Sequence, residues 1–421
     1  MMRIRVEGKR PLNGVYQPSG NTNAAMALLG AALLTDKPVK LANIPHTVNM
    51  QAMLAVAKLL GAQLDWQDEN TVTARAEQIT KRILTQEDTN GLVGMMLFLP
   101  SMLVRRQHIR LEFDFPLHRI RTHLEALRDL GQDLTCTSGT IECKAVPWDR
   151  KDIILTQTSV TATAIVMMLA ARLGKETFVY NAACEPHVQE LANLLCEMGA
   201  HIEGIGSNVL RIISPPELEG GEATIGPDHI EAASVAAISA LSGGRTQING
   251  IRHSDMRMIA KTYAPLGIHL DMDETVMFVP KHNSITLSNR EEDIDLTIET
   301  SPWPGFPSDL VAIATLIATQ ARGTSLIHEK LFNNRLLFVD KLKAMGAQIV
   351  LCDPHRAIVV GATPLSGIYM DTPDVRTGLG MLGAALIAEG ESVIDNAQVI
   401  ERQFAGVLKK LQGLGAEIVI E

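Results

Sequence analysis

Aromatic side chains are scarce in this chain: Phe, Tyr and Trp make up 4% of its 421 residues. A close-packed interior must then be filled by Ala, Leu, Ile, Val and Met, which suits helices laid on sheets with small side chains at the contacts. Cysteine is scarce too. Cys136, Cys143, Cys184, Cys196 and Cys352 are an odd number, with no CxxC and no Cys/His metal spacing. That argues against a disulfide framework and a structural zinc site, and suits reduced thiols. Positive charge is in deficit, with 38 Lys and Arg against 47 Asp and Glu and a net charge of −9. A nucleic-acid binder or a general membrane-surface binder is therefore not expected, while a local basic site for an acidic metabolite is compatible. No apolar run reaches membrane-spanning length without Gly, Pro or charge. The opening "MMRIRVEGKRPLNG" has no apolar signal core, and its "RIRVEG" reads as a strand. These features predict a cytoplasmic protein, and the length predicts two domains.

What the chain has in abundance is repetition. "LGAQL", "LGQDL", "MGAHI", "LGIHL", "MGAQI" and "LGAEI" place Gly61, Gly131, Gly199, Gly267, Gly346 and Gly415 at intervals of 68 to 79 residues. Each phrase reads as a helix stopped by a glycine, followed by a strand. An amphipathic stretch precedes each phrase. Earlier in each repeat stands a more apolar stretch, such as "TATAIVMMLAARLG" or "DLVAIATLIATQARG". A helix apolar all round belongs in the interior. Each repeat is thus predicted as strand–helix–strand–helix–strand, with three repeats per domain. The Gly-rich "PPELEGGEATIGPDH" is the expected crossover, and "RIRVEG" is expected to complete the sheet of the last repeat.

Polar residues just before the buried helices are the candidate site. "QPSGNTNAAMALLGAALL" runs from a polar turn with Thr22 and Asn23 into an apolar stretch. Free N–H groups and the helix dipole suit such a turn for an anion, although it carries no Lys or Arg. In "SPWPGFPSD" three prolines crowd before Asp309, as a stiff turn with Ser308 or Asp309 capping the next helix, or as a carboxylate held as a general base. Arg335 in "LFNNR", Arg402 in "VIER" and Arg376 beside Asp374 in "DTPDVR" stand near helix starts, the wrong end for the dipole, which leans towards anion binding. The segment 105–123, with Arg105, Arg106, Arg110, Arg119 and Arg121, is the main basic concentration. It is either a solvated hairpin or subunit contact, or a phosphate-binding loop. His108, His118 and His123 lack metal spacing, so no metal site is expected.

A six-fold repeat carrying "SGNTNAA", "FPSD", "NNR" and "ER" at these places resembles the enolpyruvyl transferases over essentially the whole chain, in the branch that acts on UDP-N-acetylglucosamine. The Lys-Ser and Asn-Ala-Gly-Thr signatures of the shikimate-phosphate branch are not found. The resemblance implies an α/β fold of two inside-out α/β barrels of three repeats each, with an interdomain cleft. It implies domains at 21–226 and at 1–20 plus 227–421. The reaction implied moves the enolpyruvyl group of phosphoenolpyruvate to the sugar 3′-hydroxyl and releases phosphate, with no metal or organic cofactor. By position Asp309 would handle the hydroxyl proton and Asp374 would lie near the reacting centre. Arg335, Arg376 and Arg402, with Thr22 and Asn23, would hold phosphoenolpyruvate or phosphate. The nucleotide sugar would meet Asn23, His118, Arg119, Arg121, Gln157, Ser159, Val160, Asp309 and Leu331.

The sequence also departs from that pattern. The mobile loop of the family carries a reactive cysteine, sometimes aspartate, in a Gly-rich stretch. Here "LEFDFPLHRIR" is shorter and offers Asp114 as the acid. Thr22 and Gln157 replace lysines; Val93, His118 and His229 fall where arginines are expected. Three functions follow from the resemblance: transfer to UDP-N-acetylglucosamine, transfer to a different alcohol with the 105–123 segment as recognition element, or a non-catalytic homologue binding a ligand or partner protein.

Overall fold

The six repeat glycines all take positive φ, from 74° at Gly131 to 106° at Gly346, the left-handed conformation that stops a helix and that a side chain resists. Around these stops the computed structural model describes residues 2–89, 91–137, 139–288, 296–371 and 377–421. Among the described residues the strands form six four-stranded sheets in a mixed α/β fold. One pattern repeats in each. In the third repeat Trp148–Ile154 runs parallel to Gly174–Tyr180, which pairs antiparallel with Val209–Ile213, itself antiparallel to His201–Glu203. The parallel pair needs a crossover, and the buried helix Val160–Leu173 supplies it.

Packing divides the chain into two units, Met1–Ser19 with Pro227–Glu421 (the terminal unit) and Gly20–Gly226 (the central unit). Lead strands are exchanged where the chain passes from one to the other. Asn13–Tyr16 precedes the helix Thr22–Ala32 of the central unit, yet pairs parallel to Arg245–Asn249 in the terminal unit. Gly221–Thr224, within the Gly-rich crossover stretch, precedes the terminal unit's helix His229–Leu241 and pairs parallel to Val39–Ala42 in the central unit. The strand Ile4–Glu7 lies between Glu391–Asp395 and Glu417–Ile420, so "RIRVEG" does complete the last sheet.

Each unit has its own apolar core. Thr22–Ala32 in the central unit buries every residue except Asn23, and Gly378–Ile387 in the terminal unit is buried throughout. Helices of this kind form the inside of each unit, and strands such as Arg356–Gly361 alternate buried residues with exposed ones. The apolar stretch "GLVGMMLFLPSMLV" does not form one helix. It splits into a 3₁₀ segment Val93–Phe98 and an α-helix Leu99–Arg106, with Pro100 in the first turn, where its missing N–H is tolerated. No helix among the described residues is long and apolar enough to cross a membrane.

Gly30 marks a close contact of the helix Thr22–Ala32 in the central unit. A Cβ there would lie 2.5 Å from the carbonyl oxygen of Leu97. Gly30→Ala is expected to destabilise the protein by roughly 1–3 kcal/mol, despite the better helix propensity of alanine. Urea unfolding followed by far-UV circular dichroism checks this; an unchanged or higher midpoint would contradict the close packing.

Candidate active site

The Pro-rich turn of the terminal unit is held by its own backbone before any side chain acts. Ser301 N–H donates to the carbonyl of Phe306, Gly305 to Pro302 and Leu310 to Pro307. The turn ends in a 3₁₀ segment Ser308–Leu310 that leads into the buried helix Val311–Gln320. Neither Ser308 nor Asp309 caps that helix through its side chain. Both have been drawn to other partners, so the capping expectation is corrected.

Asp309 pairs with Arg335. The arginine Nη1 donates to Asp309 Oδ1 at 3.0 Å and to the Ser308 carbonyl at 3.4 Å. The arginine side chain is 6% exposed and the aspartate 33%. The guanidinium also lies over the Phe332 ring, 4.5 Å from its centroid. Behind this pair sits Glu329, fully buried and unremarked in the sequence. Its Oε1 accepts Thr300 Oγ1 at 3.0 Å, Leu331 N–H at 2.8 Å and Phe332 N–H at 3.1 Å, and its Oε2 accepts Ser308 Oγ at 2.6 Å. Charge-assisted bonds of this kind are the strong ones, and they offset the burial of the charge.

A second polar cluster of the terminal unit starts at Asp228, which caps His229–Leu241 by accepting from Ile230 and Glu231 N–H at 2.9 and 3.0 Å. Burial, reinforced by the negative charges of Glu231 and Asp309, pushes its carboxyl up to about 7 against those two donors. His229 packs edge-on against Trp303 of the Pro-rich turn, with centroids 5.3 Å apart. Glu231 is fully buried; it accepts from Tyr16 Oη at 2.6 Å and from Lys410 Nζ at 2.9 Å. Lys410 also donates to Ser19 Oγ, and Ser19 Oγ donates to the Ala405 carbonyl. The segment after Arg402 is thereby tied to the chain just ahead of "GNTNAA". Arg402 itself ends the turn Ala397–Arg402 and is exposed. Asp374 and Arg376 lie outside the described residues.

In the central unit Asn21 caps Thr22–Ala32, accepting from Ala24 N–H at 3.0 Å. Thr22 is buried, with its hydroxyl 3.3 Å from that of Thr47, and Asn23 is half-buried. The basic segment divides by role. Arg105 donates to the carbonyls of Thr35, Ala76 and Glu77, each at 2.7 Å, so it braces loops. Arg110 pairs with Glu112 on the surface. His123 is buried, and desolvation lowers its pKa to about 4, leaving it neutral. His118 and Arg119 are exposed in the turn Leu117–Ile120. Arg121 donates to Glu125 at 2.7 Å, and the other oxygen of Glu125 accepts Thr156 Oγ1 at 2.6 Å. That shared carboxylate brings Arg121 beside the segment of Gln157, Ser159 and Val160. Gln157 is exposed, Ser159 caps Val160–Leu173 and Val160 is half-buried. Asp114 is exposed near Gly91, while Leu331 is 38% exposed in the terminal unit, one residue from the Phe332 ring. No group of three or more potential metal ligands occurs among the described residues.

Two important residues escaped the sequence reading. Asp228 had a signal, since "PDHIE" places an acid at a helix start with Glu three residues on. Glu329 had none, because its side-chain partners Ser308 and Thr300 lie 21 and 29 residues away.

The fold is similar to that of the enolpyruvyl transferase NikO from Streptomyces tendae, at a TM-score of 0.88 and 20% identity over 100% of this chain and 98% of that one. EPSP synthase from Acinetobacter baumannii matches at 0.77 and 14% identity, over 100% of both chains. Residues 6–411 match the family EPSP synthase (3-phosphoshikimate 1-carboxyvinyltransferase). UDP-N-acetylglucosamine 1-carboxyvinyltransferase of Bradyrhizobium diazoefficiens is 39% identical over 98% of this chain and 96% of its own, and that of Treponema denticola 37% identical over 99% and 98%. The chain belongs to this carboxyvinyltransferase family.

The Asp228 cap makes stability depend on pH. A carboxyl held near 7 when folded and near 3.8 when unfolded contributes stability below the lower value that is lost as pH rises to the upper one, on the order of 4 kcal/mol. Asn is an equally good cap without that titration. Urea unfolding of Asp228→Asn against the parent between pH 5 and 8 should show the variant gaining ground up to about pH 7 and then running level. Parallel curves would contradict the buried, raised carboxyl.

Proposed function

We propose that this protein transfers the enolpyruvyl group of phosphoenolpyruvate to the 3′-hydroxyl of UDP-N-acetylglucosamine in the cytoplasm, a step of peptidoglycan precursor synthesis, without metal or organic cofactor. The observation that carries this reading is the Asp309–Arg335 pair, held at the start of a buried helix in a chain whose full-length relatives bear that activity in their names. In this reading each unit is an inside-out α/β barrel, with domains at 21–226 and at 1–20 plus 227–421. Asp309 takes the proton of the acceptor hydroxyl as its oxygen bonds to the phosphate-bearing vinyl carbon. An acid, with Asp114 and Asp374 as candidates, protonates the CH₂ carbon. The resulting tetrahedral ketal then expels phosphate and loses the proton again, restoring the double bond. Arg335, Arg376 and Arg402, with Thr22 and Asn23, hold phosphate and carboxylate through charge-assisted bonds. His118, Arg119, Arg121, Gln157, Ser159, Val160 and Leu331 meet the nucleotide sugar.

A second reading, transfer to a different alcohol, is favoured by Thr22. Its hydroxyl is buried against Thr47, and exposed Gln157 adds no charge in the nucleotide segment. Each charge-assisted bond not made forgoes roughly 1.5–3 kcal/mol of binding to a diphosphate.

Phosphate release from phosphoenolpyruvate, measured with UDP-N-acetylglucosamine and with other hydroxyl compounds, separates the two. The first reading predicts release with the sugar nucleotide that falls by about 10²–10⁴ in Asp309→Asn, the scale of a lost general base. Release only with another alcohol selects the second reading. No release with any acceptor, and no binding of phosphoenolpyruvate, contradicts both.

A further inference from the structure

Asp309 and Arg335 sit on two separate turns of the terminal unit, joined at their base where Thr300 N–H donates to the His328 carbonyl at 3.0 Å. The first carries Thr300, Ser308 and Asp309; the second carries Leu331, Phe332 and Arg335. We infer that Glu329 is the positioning residue that sets Asp309 against Arg335. Its carboxylate is fully buried and reaches both turns at once. On one side Oε2 accepts Ser308 Oγ at 2.6 Å, one residue before Asp309, and Oε1 accepts Thr300 Oγ1 at 3.0 Å. On the other side Oε1 accepts the Leu331 and Phe332 N–H groups at 2.8 and 3.1 Å. Thr300 adds a return contact, since its Oγ1 accepts Lys330 N–H at 2.9 Å. Glu329 is anchored in turn by its own backbone, with N–H to the His355 carbonyl at 2.8 Å and its carbonyl 2.8 Å from His355 Nδ1.

Four acceptor bonds on one carboxylate exceed what a neutral amide can supply. Glu329→Gln keeps the shape, but only its oxygen accepts; its NH₂ group faces Ser308 Oγ and obliges that hydroxyl to reverse. The fold has its own core and does not depend on this substitution, whereas the alignment of the two turns does. A misplacement of a reacting group by about an ångström is enough to slow a reaction by roughly a hundredfold. The kinetic part of this inference rests on the proposed reaction; the structural part does not.

The test combines both parts. Amide hydrogen exchange in Glu329→Gln should accelerate in 300–310 and in 331–336 together, with Gly323–His328 and Val311–Gln320 unchanged. Acceleration in neither segment, in one alone, or throughout the unit overturns the clamp, whether or not the protein turns over the proposed substrates. Kinetics with phosphoenolpyruvate and UDP-N-acetylglucosamine should show kcat falling at least about tenfold in Glu329→Gln while KM for either substrate changes less than about threefold. Ser308→Ala should lower kcat in the same direction, and the double variant should be no slower than the slower single one, because both act through one contact. A kcat within twofold of the parent, or losses that multiply, overturns the positioning role. An inactive parent refutes the proposed reaction alone, since the exchange result still decides the clamp.

Discussion

Burial of helices that are apolar on every side is the constraint on which the rest of this structure depends. A helix such as Gly378–Ile387 has no face to offer water, so sheets must enclose it and small residues must let helices meet. Small hydroxyls such as Thr315 and Ser234 are tolerated on the helix flanks by bonding the preceding turn, while capping groups gather at helix ends, where N–H groups need acceptors. Asn21, Ser159 and Asp228 answer that need directly as caps. At Val311–Gln320 the cap is absent, and the polar residues at its start serve Glu329 and Arg335 instead.

The two units answer the same constraint with different electrostatics. In the terminal unit, charge is buried and paired: Glu329 with four donors, Glu231 with Tyr16 and Lys410, Asp309 with Arg335. Breaking one member of such a set leaves an uncompensated charge, which makes the arrangement rigid. In the central unit the corresponding helix start is neutral, with Thr22 against Thr47, and the cations that remain near Gln157 are exposed or paired on the surface. Charge is thus buried and paired in the terminal unit, while near Gln157 in the central unit it lies at the surface.

Much of the fold was legible because glycine has few substitutes at positive φ, and six of them recur in register with six apolar stretches. The strand "RIRVEG" was legible by elimination, since the last repeat lacked a strand. The exchange of lead strands was not, because local periodicity says nothing about which unit a strand joins. At the site, Asp309 and Arg335 stood out by context, but their direct pairing joins residues 26 apart in sequence. Glu329 was invisible for the same reason. The basic 105–123 segment read as one feature, yet Arg105 is consumed by three distant carbonyls, and only part of the remainder faces solvent.

If the terminal unit supplies the anion-binding end of the reaction, the guanidinium fork of Arg335 is its test. Calorimetric titration of phosphoenolpyruvate into the parent and into Arg335→Lys measures this most directly. Lysine keeps the charge and loses the planar fork, so affinity should fall at least roughly tenfold while the unfolding midpoint holds. Equal affinity in the two proteins would contradict the assignment of this site.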